Sequence, residues 1–104
     1  MHLKNKYNLS IIIPVFNEEK YLETLFNDLE KYFNYEDIEV IVVNDGSYDD
    51  SNNILEKLKQ NQYKFKYQLI TLKRNFGKGF AVREGAKNSI GNYLLLQDAD
   101  LELD

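Results

Sequence analysis

Four short apolar runs rich in β-forming residues punctuate this chain, and a stretch with helical spacing follows each of the first three. No other feature restricts the fold as much. Leu9 to Val15 is too continuously apolar for a strand with one wet face, so it reads as a buried parallel strand. Pro14, which has no N–H to give a ladder, marks its end. Ile38 to Val43 is the second strand, Tyr67 to Leu72 the third and Tyr93 to Gln97 the fourth. From Glu18 to Phe33 the residues Tyr21, Leu22, Leu25, Phe26, Leu29, Tyr32 and Phe33 recur at helical intervals. Asn17 is the expected N-cap, and the aromatic members Tyr21, Phe26, Tyr32 and Phe33 are expected in the core. A second helix, capped by Asp49, Asp50 or Ser51, turns Ile54, Leu55 and Leu58 inward. Gly77 and Gly79 open a third, on which Val82, Ala86 and Ile90 share a face, and Gly91-Asn92 closes it. Strands joined by helices predict one α/β domain over residues 1–104, a Rossmann-like and mainly parallel sheet with helices on both faces.

Composition removes several function classes. Thirteen basic against seventeen acidic residues leave a net charge of −4, so nothing draws the chain to nucleic acid. The lysines among Tyr63, Phe65 and Tyr67 fit an alternating edge approaching the third strand better than a nucleic-acid surface. There is no cysteine, hence no disulfide framework and no thiolate metal site. No apolar run approaches the roughly 20 residues that cross a bilayer, and the start lacks the apolar stretch of a secretory signal. A cytoplasmic location is the expectation, with a peripheral position on the cytoplasmic face of the membrane as its variant. The one histidine, His2, stands near the N-terminus and is given no role.

The chemistry gathers where strands end. In open parallel sheets ligands bind beyond the carboxyl ends of the strands. Here those ends carry Asn17-Glu18, Asn44-Asp45-Gly46-Ser47, Lys73-Arg74-Asn75 and Asp98-Ala99-Asp100. Carboxylates for a metal or a ribose and cations for phosphate therefore converge on one edge. Asp98 and Asp100 would point to one side if the chain stays extended, because strand side chains alternate. Two hard oxygen donors so placed suit a hard divalent cation that holds phosphates. Gly77-Lys78-Gly79 does not continue into a dinucleotide fingerprint, since Val82 stands where the third glycine belongs. Lys78 fits either a solvated cation or a phosphate contact.

Four segments together resemble a known family. They are Ile11 to Glu19, Val42 to Asp49, Asn75 to Gly79 and Gln97 to Glu102. In this order they look like the signatures of family 2 inverting glycosyltransferases, similar to dolichyl-phosphate mannose synthase and related polyprenyl-phosphate sugar transferases. The resemblance implies the GT-A fold and binding of a nucleotide-diphospho-sugar, a UDP- or GDP-sugar. Pro14, Phe16 and Glu18 would line the nucleoside pocket, and Val43 and Asp45 would sit beside the base. Asp98 and Ala99 would flank the ribose and diphosphate, while Asn17, Gly46 and Lys78 complete the implied nucleotide-sugar-binding set. Asp98, Asp100 and Glu102 would hold Mg²⁺ or Mn²⁺ against the diphosphate. Asn44 stands where many relatives have a first Asp, and Glu102 where near relatives often have Gln.

The family's later half supplies the acceptor site and general base, and no residue here matches that base. The chain therefore reads as a donor-binding half, truncated after the Asp98-Ala99-Asp100 motif, with no catalytic residue assigned and no transfer expected from it alone. The acceptor implied for a complete enzyme is a polyprenyl phosphate or a saccharide. The alternative is a non-catalytic nucleotide-binding or subunit-interaction module, self-associating through a surface the missing half would cover. A response-regulator reading fails, since it needs an acidic pair after the first strand and a lone Asp after the third. Those places hold Asn17-Glu18 and Lys73-Arg74.

Overall fold

The computed structural model describes residues 6–100. It contains β1 (Leu9–Val15), α1 (Leu22–Tyr32), β2 (Ile38–Asn44), α2 (Ser51–Leu58), β3 (Lys66–Thr71), α3 (Lys78–Lys87) and β4 (Tyr93–Leu96). The strands form one sheet in the order β3-β2-β1-β4, and every neighbouring pair is parallel. The order runs outward from β1 through β2 to β3, then returns to place β4 on the other side of β1. That reversal puts a topological switch point between β1 and β4, the place where parallel α/β sheets open a crevice for ligands.

The pleat of β1 sorts the core into two layers, because alternate side chains face opposite sides. Ile11, Ile13 and Val15 join Val40 and Val42 against Leu22, Leu25, Phe26 and Leu29 of α1 and Leu55 of α2. Ile12, Ile41 and Val43 face α3 through Ala81. Helices thus cover both faces, as expected. The core of α1 is the Leu22, Leu25, Phe26, Leu29 stripe, and the aromatic expectation holds for Phe26 and in part for Phe33, which packs against the same core. Tyr21 and Tyr32 are 39% and 59% exposed and Phe33 is half-buried, because they flank that stripe. Tyr63 stacks on Phe65 and Tyr67 packs edge-on to Phe26, so the alternating aromatic run does lead into β3.

Two expectations are corrected here. The buried face of α3 is Ala81 and Gly85, with Val82 and Ala86 half-buried and Ile90 exposed. The helix lies so close to the sheet that a Cβ on Gly85 would stand 2.6 Å from Ile12 Cγ2, leaving room for small residues alone. Asn17 does not cap α1, which begins at Leu22 with Tyr21 in the cap position. Asn17 is the one non-glycine residue with positive φ among the described residues (53°), and its side chain turns to a neighbouring loop instead. Among the described residues no helix is long and apolar enough to cross a membrane.

Candidate nucleotide-sugar cleft

Beyond the carboxyl ends of β1 and β4 lies a cleft of about 440 Å³. The end of β1 and the residues just after it supply Pro14, Val15, Phe16 and Glu18, the residue after β2 is Asp45, and the segment after β3 supplies Asn75, Gly77 and Lys78. Asp98, Ala99 and Asp100 close the remaining side. Eight of the eleven residues assigned to the donor site from the sequence therefore line one cavity: Pro14, Phe16, Glu18, Asp45, Lys78, Asp98, Ala99 and Asp100. Glu102 lies outside the described residues.

β4 ends at Leu96, although Gln97 N–H still donates to Ile12 C=O at 3.0 Å. The next residues turn, so Asp98 and Asp100 are not consecutive outward positions of an extended strand. Ala99 instead tucks into the main core, 3% exposed, and pins the turn with a carboxylate on either side of it. Lys78 at the start of α3 donates to Asp98 Oδ1 at 2.6 Å, a pair more than half exposed on both sides. That hydrogen bond, then the charges of Asp98 and Asp100, raise the Lys78 ammonium above its ordinary pKa. Of the Lys73-Arg74-Asn75 cluster expected after β3, Asn75 lines the cleft and the two cations do not; Arg74 lies over the Phe76 ring, 4.7 Å from its centroid, and among the described residues Lys78 is the cation that lines the cleft.

Asp45 is 2% exposed at the cleft floor, and its carboxylate organises the opposite wall. Oδ1 accepts from Phe76 N–H at 2.8 Å, and Oδ2 accepts from Gly77 N–H at 2.9 Å and from Asn75 Nδ2 at 3.2 Å. The lone pairs expected to meet a base are largely engaged by the protein's own loop. Next to it, Gly46 has φ +69°, and the Arg74–Asn75 peptide crosses directly over its Cα.

Three residues assigned to the ligand sit elsewhere. Val43 is fully buried in the layer under α3, because its position in β2 points away from the cleft. Asn17 Oδ1 accepts from Tyr48 and Asp49 N–H at 3.0 and 3.3 Å, while Asn17 N–H donates to Ser47 Oγ at 3.0 Å. Glu18 N–H donates to Ser51 Oγ at 2.9 Å, so the β1–α1 and β2–α2 loops are locked to each other. Gly46 does not line the cavity and serves as the crossing point just described. Asn44 is buried, donates to Asn52 Oδ1 and accepts from Ser47 N–H, and does not line the cleft. Conversely, Val15, Asn75 and Gly77 line the cavity without having been assigned. The Asn75-Phe76-Gly77 segment was visible as a motif, and its spacing directly before a helix was the available signal.

These segments and this topology agree with known proteins. The sequence profile of Glycosyl transferase family 2 matches residues 10–104. The chain belongs to glycosyl transferase family 2. It is 40% identical over 102 residues to the dolichyl-phosphate beta-glucosyltransferase of Mus musculus, covering 88% of this chain and 31% of that one. It is 34% identical over 97 residues to the undecaprenyl-phosphate 4-deoxy-4-formamido-L-arabinose transferase of Pseudomonas savastanoi pv. phaseolicola, covering 90% and 28%. This chain therefore spans about a third of the length of the curated relatives it matches. The crystal structure of S. aureus TarS 1-349 in complex with UDP-GlcNAc superimposes with TM-score 0.79 at 33% identity, over 89% of this chain and 26% of that one. The mannosyltransferase PcManGT of Pyrobaculum calidifontis, in complex with GDP-Man and Mn²⁺, gives TM-score 0.82 over 94% and 28%. At 20% identity that second likeness establishes the shared GT-A fold alone.

Proposed function

We propose that this chain forms the donor side of an inverting sugar transferase and binds a UDP- or GDP-sugar together with Mg²⁺ or Mn²⁺. The carrying observation is the cleft at the β1/β4 switch point, where the Asp98–Asp100 turn faces Phe16, Glu18 and the Asp45-held loop across one cavity. Among the described residues no cluster of three or more histidine or acidic side chains converges on a point. The two carboxylates still fit a divalent cation of this kind, which takes few protein ligands and completes its shell with phosphate oxygens and water. When bound, the metal would neutralise charge on the departing nucleoside diphosphate.

The chain's own groups do the rest. Phe16 offers an aromatic face at the cleft mouth, held edge-on by Tyr48 at 5.7 Å between centroids. Lys78, which lines the cleft and is paired with Asp98 in this structure, would be free to meet a diphosphate if a metal took that carboxylate. The acceptor of the complete enzyme would be a polyprenyl phosphate or a saccharide, met in the cytoplasm or at its membrane face. The relatives named for dolichyl and undecaprenyl phosphates favour the first.

Calorimetric titration with UDP and with GDP, each with and without Mn²⁺, tests the reading. Asp100→Asn is expected to abolish the metal-dependent part of the affinity and leave the melting temperature within a few degrees of wild type. Unchanged metal dependence in that variant would remove Asp100 from the metal site.

The edge of the sheet favours a second reading as a self-associating module. On β4, Leu94, Leu95 and Leu96 are 51%, 37% and 46% exposed, and in the described residues the strand pairs on one side only. Unpaired apolar edges recruit partners. Light scattering of the dilute chain is expected to report a dimer or larger species, and a clean monomer would count against this reading.

A further inference from the structure

The end of the sheet opposite the cleft holds a buried polar cluster that the donor site does not explain. Glu39, in β2, is 1% exposed, and so is its register partner Ser10 in β1. Glu39 Oε2 accepts from Ser10 Oγ at 2.6 Å and from Ile90 N–H at 2.7 Å. Ser10 Oγ in turn accepts from Gly91 N–H at 2.8 Å. A carboxylate and a hydroxyl on the two central strands thus grip the backbone of the turn that leads from α3 into β4. The fit is tight, since a Cβ on Gly91 would stand 2.4 Å from Ser10 Oγ and 2.7 Å from Ser10 N.

β4 needs such a grip. Its four side chains are all more than a third exposed, and its ladder to β1 covers only Leu9↔Tyr93 to Ile12↔Leu96. Register is normally enforced by burying one face of a strand, and a strand without a buried face is prone to slip. A slip of one residue would move Asp98 and Asp100 by about 3.3 Å and reverse the facing of every side chain in the strand. Ala99 would then leave its core seat.

We infer that Glu39, acting with Ser10, is a positioning residue for the Asp98–Asp100 turn, setting the register of β4 from its far end, roughly 20 Å away along the strand. This rests on the proposal that the Asp98–Asp100 turn binds a metal–nucleotide pair. Glu39→Ala removes the acceptor for both donors, whereas Glu39→Gln keeps an oxygen in place. In calorimetric titrations with UDP or GDP, whichever the wild type binds, the affinity gained from Mn²⁺ is expected to fall about tenfold or more in Glu39→Ala. It is expected to return in Glu39→Gln, with the metal-free affinity unchanged throughout. Amide exchange in Glu39→Ala should accelerate selectively in residues 90–97, leaving β1 and β2 protected.

A folded Glu39→Ala protein with wild-type metal dependence and wild-type exchange in β4 overturns the inference. If the wild type shows no metal-dependent binding, the cleft reading fails, while exchange in β4 still judges the clip. If Glu39→Ala does not fold, wild-type exchange decides. Ile90 and Gly91 amides as protected as β1 support the clip, and exchange at loop rates overturns it.

Discussion

Asp45→Ala is expected to open the wall of the cleft and to cost about 3 kcal/mol. Three donors lose a carboxylate acceptor at once: Phe76 N–H, Gly77 N–H and the Asn75 amide, which keeps only its 3.4 Å bond to the Asp45 carbonyl. Hydrogen bonds to a carboxylate are worth about 1.5–3 kcal/mol each. The total falls below three times that value because the donors face a cleft that water can enter. For a domain of this size the loss lowers Tm by about 15 °C, out of a total stability on the order of 5–15 kcal/mol. The local effect is larger than the global one. With no anchor, the segment carrying Lys73, Arg74 and Lys78 becomes a substrate for trypsin, while β1 and β2 remain protected. Nucleotide affinity should fall about a hundredfold, because the wall that meets the ligand must then be ordered on binding. Limited proteolysis of the variant below its Tm checks this, and cleavage at the wild-type rate would mean the carboxylate does not hold the loop. Asp45→Asn, which keeps one acceptor oxygen, should fall between the two.

Gly46→Ala is expected to be of comparable cost to stability, about 2–5 kcal/mol, and for a different reason. At φ +69° an alanine incurs about 1–2 kcal/mol of left-handed strain. Its Cβ would also stand 2.2 Å from the Arg74 carbonyl carbon and 2.4 Å from Asn75 N. Those are backbone atoms held down by the Asp45 carboxylate, so they cannot yield as a side-chain tip would. Forced overpacking of this kind adds about 1–3 kcal/mol. Denaturant unfolding should show a lower midpoint with an unchanged slope. In contrast, Gly79→Ala, where an added Cβ meets nothing within 4 Å, should be neutral or slightly stabilising. If Gly46→Ala were as stable as wild type, the crossing of the two loops would have to be looser than the structure has it.

Both variants act where two loops meet, and that marks the boundary of what the chain's order reveals. The strands were legible because a parallel strand buried on both faces must be a continuous apolar run, and β1 falls on Leu9–Val15 as expected. The helices were legible from their spacing, and the strand-end clusters from the rule that ligands meet parallel sheets at their carboxyl edge. That local logic was enough to bring Pro14, Phe16, Glu18, Asp45, Lys78 and the Asp98–Asp100 turn to one cleft.

It could not say which polar groups face the ligand and which face the protein. Asn17 and Asp45 have the composition of binding residues, but Asn17 ties down the loop at Tyr48 and Asp49, and Asp45 the loop at Phe76 and Gly77. Val43 reads like any strand-end residue until α3 covers it. The small inward face of α3 follows from how closely Gly85 approaches Ile12. The Ser10–Glu39 clip joins residues 29 apart to a turn more than fifty positions further on. Periodicity and capping are properties of neighbours in sequence, so the chain by itself determined its elements and the edge where chemistry would gather. The placement of β4 beside β1, and the use of Asn17, Asp45 and Glu39 to fasten loops, were decided by tertiary structure. Only folding brings such distant donors and acceptors within 3 Å of one another, and once buried they must find partners or forfeit the water they lost.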